Sequence, residues 1–270
     1  MTHWHSLYLS SEATTRISTG LHDHLIAHDY TLYDPFSALP GMSYQHTLKC
    51  FIAPAQDGWT RILIDGDAPL FIIDALAEAL SQVADCLSVR LERRVSRVHG
   101  YRAGQLHDLS RWCAPYADAE TITHILNAEL FDLPSLAQGQ IGNIPINTLP
   151  DDIQQLAREV NAHQASTLFD RLSQRLLKAV GWQDTSTLIG DNLDWDSQGG
   201  QYIRALMAAL GISNWRTPDF STLRTAYAIC KRPTNGIPGD EDARRAVPNA
   251  LNYQPLYGGK NTSAQHTQEG

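Results

Sequence analysis

Between His46 and Trp112 the hydrophobic period switches from two residues to about 3.6 and back to two, a rhythm that few folds accommodate. Thr47 to Ala53 alternates, with Leu48, Cys50 and Ile52 on one side and Thr47, Lys49 and Phe51 on the other. Trp59 to Asp65 repeats the pattern, with Thr60, Ile62 and Ile64 opposite Trp59, Arg61 and Leu63. Successive side chains of a strand point to opposite faces, so both segments read as strands. Asp57-Gly58 between them suits a turn that needs positive φ, and the pair reads as a hairpin. Asp67 stands where an N-cap belongs and Pro69 follows, so a helix of about four turns is expected next. Its apolar stripe is Ile72, Ile73, Leu76, Leu80 and Val83, with Asp74, Glu78, Ser81 and Asp85 opposite. Leu87, Val89 and Leu91 then alternate with Ser88, Arg90 and Glu92, and a closing hairpin runs through Ala103-Gly104. Strand, crossover helix and strand within about thirty residues imply a right-handed parallel pair.

The first fifty residues follow a similar plan. Trp4 to Ser10 alternates, a helix is expected from about Ser11 to His28, and Tyr30 to Tyr33 suits a return strand. Two β-α-β-β units of roughly 55 residues each would place two helices side by side on one sheet face. After Trp112 the pattern turns helical, with stripes at Ile122, Ile125, Leu126 and Leu130, at Ile153, Leu156 and Val160, and at Leu223, Tyr227 and Cys230. The fold expected is therefore α+β. An N-terminal mixed β-sheet carries two helices on one face, built from β-α-β-β units, and an all-α C-terminal region follows. Residues 1–115 form the sheet domain, 116–150 a helix and linker, 151–232 a helical domain and 233–270 an extended or disordered arm. Leu251, Tyr253, Leu256 and Tyr257 are too apolar for a solvated tail and suit an arm laid across this chain or a neighbour.

Composition narrows the function classes. Of 270 residues, 43% are hydrophobic and 19% charged, as in an ordinary globular protein. A net charge of −8 and a pI near 5.7 argue against a general nucleic-acid binder. No apolar run suits a membrane span and no secretory leader is visible, so a cytoplasmic location is expected. Cys50, Cys86, Cys113 and Cys230 are widely spaced and read as packed free thiols.

Candidate sites are few. His24 and His28 stand one helical turn apart, suited to share a metal, but the glutamate of a zincin is missing from His24-Leu-Ile-Ala-His28. His3-x-His5 puts two imidazoles on one side of a strand, as some metal-dependent hydrolases do. Asp191, Asp194 and Asp196 form the best cluster for a divalent cation, the one cofactor the sequence suggests. Its likeness to an EF-hand loop ends at Ala205, where a bidentate glutamate belongs, and a turn with an N-cap explains the cluster equally well. Arg90, Arg93, Arg94, Arg97 and Arg102 could line a strand pair as a phosphate-binding stripe. No nucleophile elbow, phosphate loop or dinucleotide fingerprint occurs, and no catalytic residue is nominated.

Phe51, Trp59 and Leu63 share the sheet face turned away from the expected helices, and Trp4 and Tyr8 join them. A face this apolar has to be covered, by the C-terminal helices or by a partner protein, a second copy included. The function expected is a non-enzymatic binding, regulatory or assembly component. The alternatives are a metal-dependent hydrolase and a nucleic-acid-associated regulator.

Overall fold

Two turns set the frame. Asp57 and Gly58 take φ of 53° and 83°, and Ala103 and Gly104 take 50° and 75°. Paired left-handed residues are the hairpin solution whose twist matches that of the strands, so each turn folds the chain back on itself. The computed structural model describes residues 3–37, 43–65, 68–130, 140–141, 144–145, 193–231 and 240–261.

The strands are β1 (His3–Leu9), β2 (Thr31–Leu32), β3 (His46–Ile52), β4 (Thr60–Ile64), β5 (Cys86–Glu92), β6 (Val95–Arg102) and β7 (Gln105–His107). Then come the short pair β8 (Gln140–Ile141) and β9 (Ile144–Pro145), and finally β10 (Gln254–Lys260). All but β8 and β9 join one eight-stranded sheet, in the order β2-β10-β3-β4-β1-β5-β6-β7. Every pairing in it is antiparallel.

The expected mixed sheet with a parallel pair is thus corrected. The helix after β4 does cross over to β5, but β1 lies between those two strands and is antiparallel to both. The chemistry of β1 explains its central place. Leu7 and Leu9 bury against one layer while Trp4 and Tyr8 bury against the other, so both of its faces need cover. The helix after β1 leads to β2 at the sheet edge, beyond β4, β3 and β10. Two such split β-α-β crossovers interleave their strands instead of stacking them in parallel.

Helices α1 (Thr14–Ala27) and α2 (Leu70–Leu80) lie on one face. Ile17, Leu21 and Leu25 of α1 and Ile73, Leu76 and Leu80 of α2 share a core with Leu7, Leu48, Cys50, Ile62, Ile64 and Leu256. Gly20 lets the helices close up, since a Cβ there would stand 3.1 Å from Val83 Cγ2. The two helices are side by side, as the repeated plan implied. Helix α2 is shorter than expected, beginning after Pro69 with no side-chain cap, and Asp67 lies outside the described residues.

The opposite face is covered by α3 (Leu109–Cys113), α4 (Ala119–Leu130), α5 (Gln198–Ala209) and α6 (Phe220–Lys231), with α7 (Asp240–Ala246) packed on α6. Asp118 accepts from Thr121 N, Ser197 from Gly200 N and Asp219 from Thr222 N at the starts of α4, α5 and α6. Gly211, at φ 67°, follows the end of α5. Cys50, Cys86 and Cys113 are buried free thiols.

Within the expected C-terminal arm, residues 254–260 form strand β10, paired along its length with β3. Leu256 faces α1 and α2, while Tyr257 packs with Phe51 and Phe220 on the other side. Gly258 and Gly259 leave room for the rings of Tyr30 and Tyr44 on opposite sides of the strand. The helical stripe at 151–192 and most of the linker at 131–150 lie outside the described residues. Among the described residues, no helix is long and apolar enough to cross a membrane.

Candidate functional site

Antiparallel register brings together polar residues that are far apart in the chain. Of each strand's two faces, the one towards α1 and α2 carries His3 and His5 of β1, Ser88, Arg90 and Glu92 of β5, and Arg97, His99 and Tyr101 of β6. Cross-strand partners form rows: His3 with Glu92, His5 with Arg90 and Arg97, and Ser88 with His99. The strip they form continues the apolar row of Leu7, Leu9 and Cys86 along the same face, and His5, Ser88 and Arg90 within it are buried. Asp74 of α2 closes its side. Its Oδ1 accepts from the Tyr101 hydroxyl at 3.3 Å and lies 3.7 Å from His99 Nδ1.

Arg90 is the centre of the strip. It is only 9% exposed. Its Nη2 donates to His3 Nδ1 at 3.4 Å and lies 3.3 Å from Glu92 Oε2. Its Nε and Nη1 are buried and have no hydrogen-bond partner among the described residues. An arginine carries five N–H donors and cannot shed its charge, so unmet donors in a buried guanidinium are costly. Across the strand, Arg97 is exposed and forms no ion pair among the described residues.

His5 is buried, and its Nε2 is hydrogen-bonded to Ser88 Oγ at 3.2 Å. Burial, then Arg90, then His99 push its pKa from 6.5 down to about 3. It is therefore neutral at any ordinary pH. A base that weak takes little share in removing a proton from Ser88, so the His5–Ser88 contact lacks the force of a nucleophile–base pair.

The residues singled out from sequence fall in several places. His3 and His5 do share a face, and His3 Nδ1 lies 3.6 Å from Glu92 Oε1, but Arg90 Nη2 sits against both, 3.4 Å from that nitrogen and 3.3 Å from Glu92 Oε2, and places a positive charge where a metal ion would be needed. Asp194 meets another arginine, with Arg94 Nε 2.9 Å from its Oδ2. The backbone carbonyls of Asp194 and Asp196 accept from Ser197 Oγ at 2.5 Å and Gln201 Nε2 at 2.9 Å, the contacts of a turn leading into α5. Asp191 lies outside the described residues. On α1, the rings of His24 and His28 are 4.1 Å apart, and His28 Nδ1 is bonded to the His24 carbonyl. Burial and His28 lower the pKa of His24 to about 4. Among the described residues, no group of three His, Cys, Asp or Glu side chains is placed to hold a metal.

The arginine stripe is divided. Arg102 is bound to Asp85 at 2.6 Å and Arg94 to Asp194, Arg93 takes φ 53° in the turn between β5 and β6, and Arg90 and Arg97 remain together on the strip. Phe51, Trp59 and Leu63 are buried. Phe51 packs on Phe220 and Tyr227 of α6, and Trp59 lies 5.0 Å from Tyr116 and 6.2 Å from Trp112. These three residues are core, sheltered by helices of the same chain, so they are not a surface on which another molecule can dock.

Ser88, Asp74, His99 and Tyr101 were not nominated from sequence. The alternation of β5 and β6 offered a signal, but only the register with β1 shows that their polar sides meet His3 and His5. No family model matches the sequence, and no curated protein or solved structure is significantly similar to it.

Proposed function

We propose that this protein is a non-enzymatic binding or regulatory component that takes a small anion, a carboxylate or a phosphate, on the polar strip beside α2. The observation that carries this reading is the guanidinium of Arg90, buried with two nitrogens unpartnered among the described residues, on a strand whose register sets it opposite the exposed Arg97. Buried polar groups in native proteins are almost always satisfied, and exceptions concentrate at functional sites. Carboxylates and phosphates are the natural acceptors for an arginine fork. His5, held neutral, suits the same task, since neutral imidazole serves as a hydrogen-bonding group without adding charge. Arg90 opposes a cation at this place for the same reason that it favours an anion.

The test is thermal unfolding in acetate or phosphate, with chloride holding ionic strength constant. A ligand that binds only the folded state raises Tm in a saturable way. We expect that rise in the native protein, its loss in Arg90→Met and its reduction in Arg97→Gln. Methionine fills the arginine's place without charge, a type of exchange that buried sites commonly tolerate. An Arg90→Met protein that responds to acetate and phosphate as the native one does would refute the reading.

A further inference from the structure

We infer that the ligand of this strip is a zwitterionic α-amino acid with an apolar side chain, its carboxylate held by Arg90 and Arg97 and its ammonium by Asp74. This rests on the anion-binding reading above and makes it more specific. The strip is not simply basic. Glu92 occupies one edge of Arg90 through Nη2, and Asp74 stands on the far side of the row formed by Arg90 and Arg97. A multiply charged anion would meet both carboxylates, whereas a zwitterion matches charges of both signs.

Asp74 is suited to the ammonium. Its Oδ1 is engaged by Tyr101 and His99, no described group pairs with its Oδ2, and the side chain is 41% exposed. Two like charges facing each other across a strand pair, as Arg90 and Arg97 do, destabilise a sheet unless something neutralises them. A carboxylate between them does so. An apolar surface adjoins. Phe71, 74% exposed, lies three residues before Asp74 and so on the same face of α2. Val95, also exposed, lies on the strip's face of β6 opposite Glu92. An apolar side chain packed on Phe71 would remove one of the large exposed hydrophobic groups among the described residues from water.

The experiment compares four probes by NMR titration of the full chain: glycine, L-phenylalanine, 3-phenylpropionate, which lacks the ammonium, and phenethylamine, which lacks the carboxylate. L-phenylalanine is expected to bind at least roughly tenfold more tightly than 3-phenylpropionate or phenethylamine, the scale of one charge-assisted hydrogen bond. In Asp74→Asn the advantage over 3-phenylpropionate disappears, and that acid binds as before. In Phe71→Ala, a change at an exposed position, phenylalanine loses about fivefold while glycine is unaffected. Equal affinity for phenylalanine and 3-phenylpropionate, or an unchanged ratio in Asp74→Asn, overturns this inference and leaves the anion reading standing. Failure of every carboxylate, acetate included, overturns both.

Discussion

Trp112→Ala is expected to lower the unfolding free energy by about 3–5 kcal/mol, measured by urea denaturation, because it empties the centre of the outer layer. The indole is fully buried, donates from Nε1 to the Tyr101 carbonyl at 3.0 Å and packs on Trp59 and Tyr116. It also lies flat against β6 where that strand has no side chain. A Cβ at Gly100 would come within 2.4 Å of Trp112 Cγ. Gly100→Ala is therefore expected to cost about 2–3 kcal/mol by overpacking. The two losses should not add. With the indole gone, the new methyl group meets open space, so the double variant should be more stable than the sum implies. Simple additivity would show that Gly100 and Trp112 do not constrain each other.

Acid should unfold the protein through His5. Its pKa falls from 6.5 in the unfolded chain to about 3 in the folded one. Between those values the unfolded chain binds a proton that the folded chain refuses. Stability from this group is therefore complete above pH 6.5 and is lost as the pH falls toward 3. One such proton gives a slope of up to about 1.4 kcal/mol per pH unit through the middle of that window. His5→Gln keeps a hydrogen-bonding group near Ser88 and removes the titration, so the acid limb should flatten. His24 adds a smaller contribution in the same direction, since its pKa is lowered to about 4 at a partly exposed site. His24→Gln should accordingly flatten the limb less. An acid limb unchanged by His5→Gln would mean that the imidazole is not held neutral beneath the strip.

Much of the sheet was legible because alternation is a local signal. The strands around Leu48, Ile62 and Val89 fall within a residue or two of their expected ends, and the Asp57-Gly58 and Ala103-Gly104 turns do what those dipeptides favour. Strand order was less legible. The sequence reads β4, α2 and β5 as one crossover, and nothing local reveals that β1, sixty residues earlier than β4 or nearly so, slips between them. Strand β10 was hidden for a different reason. Pro255, Gly258 and Gly259 depress strand propensity, and the fit of Gly259 beneath the Tyr44 ring exists only once both segments are in place.

The candidate site was half legible. His3 and His5 stood out as a pair, and Arg90 and Arg97 as members of a stripe. Their union on one face depends on cross-strand register, which a single strand does not encode. The same register sets the apolar sides of β1 and β5 under the outer helices, so the polar sides of both strands turn toward α2. Phe51, Trp59 and Leu63 announced correctly that their face needs cover, and the chain supplies it through α3 and α6.

If Arg90 holds an anion, its own side-chain nitrogen senses the ligand. Acetate titrated into ¹⁵N-labelled protein, against a chloride control, is expected to shift one arginine Nε–H resonance saturably, and that resonance should vanish in Arg90→Met. If the Arg90 resonance stays still while acetate is added, or moves equally with chloride, the strip is not an anion site and the account fails.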